Sequence, residues 1–151
     1  MEINDKIFKD PVHGYINVPD FFVHELIDNE YFQRLRNIEQ TGMRVLYPAA
    51  KHDRFSHSLG VFHLGQKAVE ALERIKNTSI LSKDFSDEDF NRCKILFLIA
   101  CLLHDIGHAP FSHSLEQQVL DNSKVSKRSG GKQSTIKEEL VRLINSAENK
   151  L

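Results

Sequence analysis

Two stretches of this chain carry apolar residues at helical spacing, and each has a histidine at one end. His57, Val61, Leu64, Ala68, Ala71 and Ile75 recur three or four residues apart. That spacing predicts a long helix with these positions on one buried face, and His57 pointing inward at its N-terminal end. Residues 77–84 read as connecting chain. Ser86 with Asp89 forms a capping box for the next helix, which carries the unbroken apolar run Ile95–Leu103 into His104-Asp105. This helix is expected to stop near Gly107, with Pro110 beyond it.

The N-terminal part is less regular. "KIFKDPVHGYINVPD" reads as a short strand or hairpin, with Asp10-Pro11 and His13-Gly14 supplying the turn and Tyr15, Ile16 and Val18 extended beyond it. Asp20 is expected to cap a short helix through about Asp28. A second helix, "YFQRLRNIEQ", sets Phe32, Leu35 and Ile38 on one side and is expected to end at Gly42. "VLYPAAKHDRF" reads as a loop, because Pro48 interrupts it and no period runs through it. After about Gln118 the polar, Gly-Gly-containing "DNSKVSKRSGGKQS" reads as a flexible linker. Thr135 with Glu138, then Ile136, Leu140, Val141 and Ile144, predict a last amphipathic helix. The expected organisation is a mainly α chain with a short N-terminal hairpin: a domain over 1–118, a linker over 119–134 and a helix over 135–151.

Composition narrows the function classes. With 151 residues, 27% charged, 40% hydrophobic and a formal net charge of −1, the chain is an ordinary globular length and mixture. No basic excess indicates nucleic acid, and the longest apolar run is too short for a bilayer. Cys93 and Cys101 lack ligand or redox spacing. Together with an N-terminus lacking an apolar signal core, this makes a cytoplasmic location the expectation.

The chemistry lies in "LIACLLHDIGHAPFSH". A buried, unpaired carboxylate costs several kcal/mol, so Asp105 needs either a cation or a charged side chain such as an arginine. His104 and Asp105 diverge by about 100° at a helix end and can bracket one point, to which an inward His57 can add a third ligand. Two imidazoles and a carboxylate suit a divalent transition metal such as Fe, Mn, Zn or Ni. A plain helix cap with Asp105 paired to an arginine is the competing reading.

"HDRFSHSLGV" followed by "LLHDIGHAPFSH", with "KDPVHGYI" and "FQRLRNIEQTG" before them, resembles the HD-superfamily phosphohydrolases, and within them the deoxynucleoside triphosphate triphosphohydrolase branch. The resemblance runs from about Lys6 to Glu116 and implies an HD-domain helical bundle. It also implies metal ligation by His57, His104 and Asp105, with Mg accompanying the nucleotide. Arg54 would bind substrate phosphate, and His108 and His113 would act at the scissile α-phosphate. Gln40 would contact the deoxyribose, with Thr41 beside it as a steric check on the sugar. Lys6, Asp28, Gln33 and Arg36 match residues that hold an activating nucleotide between subunits in regulated members, which implies a homo-oligomer. The implied reaction hydrolyses a deoxynucleoside triphosphate to deoxynucleoside and tripolyphosphate.

The chain departs from that pattern in three places. The family's fourth ligand, an aspartate far downstream, and its downstream catalytic histidine have no counterpart within these 151 residues. Lys9 stands where regulated members commonly have Asn. The chain is short relative to the family, and a non-catalytic nucleotide- or metal-binding module is the alternative.

Overall fold

The computed structural model describes residues 5–42, 46–77 and 86–108, with 124–125, 134–135, 138, 141–142 and 145 in the C-terminal part. His113, Pro110 and most of the expected last helix lie outside the described residues. Strands β1 (Lys6–Asp10) and β2 (Gly14–Val18) form an antiparallel hairpin, with Lys6 opposite Val18 and Asp10 opposite Gly14. The Asp10 carboxylate accepts hydrogen bonds from the Val12 and His13 N–H groups, both at 2.8 Å, and so shapes the turn. Gly14 closes it at φ 80°, a backbone state that favours glycine. Ile16 and Val18 are fully buried while Tyr15 is exposed, which fixes the hairpin's inner face.

A series of short helical turns follows: α1 (Asp20–Phe22), a π-turn over Val23–Ile27, α2 (Glu30–Gln33) and a 3-10 turn over Arg34–Asn37. Two expectations are corrected here. Asp20 is not the cap: it is the first helical residue behind Pro19, makes no capping bond, and sits 3.3 Å from His24. Asn29 does cap α2, its side chain accepting from the Tyr31 N–H. The second helix also stops at Asn37, well before Gly42. Phe32, Leu35 and Ile38 are all buried, but a strict three-residue spacing is the period of a 3-10 turn rather than of an α-helix.

Beyond that turn the backbone is extended. The Gln40 N–H donates to the His52 carbonyl at 3.2 Å, and the Arg54 N–H donates to the Ile38 carbonyl at 2.8 Å. The presumed loop therefore returns to pair with Ile38–Gln40. Asp53 ends it as a helix cap, accepting the Ser56 N–H at 2.8 Å.

Helices α3 (Arg54–Asn77) and α4 (Asp87–Leu103) form the main helical layer. Ser86 caps α4, its Oγ accepting the Asp89 N–H and donating to the Asp89 carboxylate, as the sequence predicts. The buried face of α3 is not the expected one. Phe55, Ser58, Leu59, Phe62 and Val69 face the core, whereas Leu64 and Ile75 are 53% and 43% exposed. Both stripes have helical spacing, but the hairpin and the short turns pack on the phenylalanine-bearing one. His57 flanks that stripe and is half-buried. Gly65 lets α4 come close, since a Cβ there would lie 2.9 Å from Cys101 Sγ.

In the C-terminal part, β3 (Lys124–Val125), within the expected linker, pairs antiparallel with β4 (Ser134–Thr135), so Thr135 lies in a strand rather than at the start of the expected last helix. Glu138, Val141, Arg142 and Asn145 are helical. Among the described residues no helix is long and apolar enough to cross a membrane.

Candidate metal centre

Helix α4 ends at Leu103, and its polypeptide turns through His104–Gly107 with His104 still in helical conformation. The turn is closed by the Ile106 N–H on the Leu103 carbonyl and the His108 N–H on the Asp105 carbonyl, both at 3.0 Å. It carries Asp105 into the interior, 5% exposed, under the first turn of α3. There Arg54 Nη1 donates to Asp105 Oδ2 at 2.7 Å. Both sequence readings of the buried carboxylate therefore have a physical counterpart: an arginine pairs with it, and imidazoles converge on it.

His57 and His104 approach each other edge to face, ring centres 5.2 Å apart and Nε2 atoms 3.3 Å apart. His104 Nε2 lies 3.4 Å from Asp105 Oδ1, and His57 Nε2 lies 3.8 Å from Oδ2. One donor atom from each of His57, His104 and Asp105 falls within 4.8 Å of the others. His104 Nδ1 sits 2.9 Å from the Cys101 carbonyl. With Nδ1 protonated and donating there, Nε2 keeps its lone pair on the inner side. The set is two nitrogens and one carboxylate oxygen, a chemistry that fits a divalent ion and leaves room for other ligands. Burial, offset in part by the Asp105 charge, lowers the pKa of His57 and favours the neutral, ligating imidazole.

His108 joins the same cluster, its Nε2 3.3 Å from Asp105 Oδ1. Gln40 enters through the Ile38–Gln40 pairing; its side-chain Oε1 is buried and has no hydrogen-bond partner among the described residues. Thr41 follows it, half-buried. The four residues matched to an activator site lie elsewhere, as two pairs. Lys6 Nζ is 3.9 Å from Asp28 Oδ2, and Arg36 Nε donates to Gln33 Oε1 at 2.8 Å. The Arg36 guanidinium also stacks 3.5 Å over the Phe55 ring.

Three further residues that the sequence reading did not assign to the site adjoin it. His13 and His52 line a cavity of about 330 Å³ together with His57, Ser56 and the hairpin turn. Arg34 donates from Nη2 to the Ile106 carbonyl at 2.7 Å, reaching the turn that bears the site from a residue 72 positions earlier. Nothing in the spacing of "FQRLR" separates the inward Arg34 from the exposed Arg36.

A helical layer that presents two histidines and a buried aspartate around one point, with an arginine on the carboxylate, defines a candidate divalent-metal domain. The HD domain model matches residues 54–149, which is most of the chain. The chain belongs to the HD-domain family, a family of metal-dependent phosphohydrolases. Relatives include the uncharacterized protein YwfO of Bacillus subtilis, 41% identical over 75% of this chain and 24% of its own length. The deoxynucleoside triphosphate triphosphohydrolase SAMHD1 of Mus musculus is 37% identical over 97% of this chain and 21% of its own. The SAMHD1 homolog of Dictyostelium discoideum is 42% identical over 77% and 21%. The chain thus spans about a fifth to a quarter of the length of these relatives.

Proposed function

We propose that this chain provides the metal-binding part of an HD-type phosphohydrolase that converts deoxynucleoside triphosphates to deoxynucleoside and tripolyphosphate. The observation that carries this reading is the 4.8 Å convergence of His57, His104 and Asp105 beside the Arg54–Asp105 pair. The substrate class follows from the triphosphohydrolase names of the relatives. His57, His104 and Asp105 hold the ion, which when bound supplies Lewis acidity toward a phosphoryl oxygen. Arg54 holds Asp105 in place, and its guanidinium contacts a substrate phosphate. His108, and His113 beyond the described residues, offset charge at the α-phosphate, and a protonated imidazole there supplies a proton to the departing deoxyribose oxygen.

Gln40, delivered by the Ile38–Gln40 pairing, contacts the sugar, with Thr41 beside it. Lys6, Asp28, Gln33 and Arg36 form an activator surface between subunits of a homo-oligomer. The domain occupies 1–118, with the linker and helix after it, and the location is cytoplasmic. The test is incubation of the full chain with each deoxynucleoside triphosphate and Mn²⁺, reading tripolyphosphate by ion chromatography against His104→Ala. Product with wild type only supports the reading. Nucleotide-dependent stabilisation with no product in either points to the binding module instead.

A further inference from the structure

We infer that Arg34 is a positioning residue for the metal centre: its guanidinium, bonded to the Ile106 carbonyl, holds the turn that presents His104, Asp105 and His108. The inference rests on the metal-site reading above and extends it to a residue whose bond is to the Ile106 carbonyl rather than to a ligand atom.

The turn is tied to α3 by the Arg54–Asp105 pair. Its own backbone bonds are the two short-range ones from Ile106 and His108. The carbonyl of Ile106 lies just past the last residue of a 17-residue helix, where partial negative charge from α4 accumulates. A fixed cation is favoured there, and arginine stays charged at any working pH. Arg34 supplies it at 2.7 Å. Its stem starts from a rigid place, because Leu35 beside it is fully buried and the 3-10 turn packs on α3. Arg34 Nε is buried and lacks a hydrogen-bond partner among the described residues, so the placement is held at a cost in polar satisfaction. Ile106 itself is 4% exposed and seated in the core, so the bond locks a turn anchored on both sides. Residues that orient ligands from behind commonly change metal affinity by about 10- to 100-fold when replaced.

The experiment compares wild type, Arg34→Met and Arg34→Lys by two readouts. Mn²⁺ affinity is measured by titration calorimetry, and amide hydrogen exchange is followed across α3, α4 and residues 104–108. Thermal melting confirms that each variant is folded. The expected result is Mn²⁺ binding weakened about tenfold or more in Arg34→Met. Exchange should quicken at Ile106 and His108 but not along α3, and Arg34→Lys should recover part of both effects. A melting loss with uniform exchange changes and unchanged Mn²⁺ affinity would make Arg34 a general stabiliser and overturn the inference. If wild type binds no Mn²⁺, the metal-site reading fails. The Arg34 inference is then decided by exchange alone, and it falls if residues 104–108 are unaffected in Arg34→Met.

Discussion

Arg54 Nη1 and Asp105 Oδ2 lie 2.7 Å apart, and their side chains are 5% and 6% exposed. This pair joins the first turn of α3, which carries His57, to the turn after α4, which carries His104. Removing one partner strands the other charge in the interior, at a cost of about 3–5 kcal/mol. Arg54→Met should therefore lower the urea midpoint sharply. Arg54→Met combined with Asp105→Leu should recover most of that loss, since a well-packed apolar replacement can be near neutral. Additive losses in the double variant would mean that the pair does not carry the coupling.

The α3–α4 contact depends on Gly65. A methyl group there would press on Cys101 Sγ at 2.9 Å and on Cys101 Cβ at 3.3 Å. Gly65→Ala should destabilise by about 1–3 kcal/mol through overpacking. Combined with Cys101→Ala it should cost less than Gly65→Ala alone, as read by thermal denaturation, because the sulfur that clashes is gone. An unchanged melting temperature in Gly65→Ala would show that the helices are not in close contact.

The hairpin turn should respond to acid. Burial pushes the Asp10 carboxyl up, but the His13 and Val12 N–H bonds, with the nearby histidines, together bring it below its ordinary value of 3.8. A carboxyl lowered on folding adds stability that is fully present above its unfolded pKa. That stability is lost as the pH falls through the folded value. Wild type should lose more melting temperature than Asp10→Asn between neutral pH and pH 3, and parallel curves would contradict this.

The sequence made the hairpin, both long helices and the Ser86 cap legible, because each rests on local chemistry: turn residues, period and a side-chain cap. It also brought out His57, His104 and Asp105, since adjacent histidine and aspartate at the end of an apolar helix demand an explanation. What it misassigned or left open was decided by packing. Two apolar stripes of α3 have the same spacing, and only the surface offered by the hairpin and short turns selects Phe55, Leu59 and Phe62 over Leu64 and Ile75. The Ile38–Gln40 pairing with 52–54 is a long-range backbone contact in a segment without periodicity. Arg34 is likewise invisible until the Ile106 carbonyl is seen beside it.

The metal claim itself is tested most directly by elemental analysis of the purified chain beside His104→Ala. His104 is more than one-third exposed on its side chain, so its removal should leave the fold intact. The expected result is close to one divalent transition-metal ion per wild-type chain and a sharp loss in the variant. Equal metal in both proteins, or none in wild type, would contradict the account.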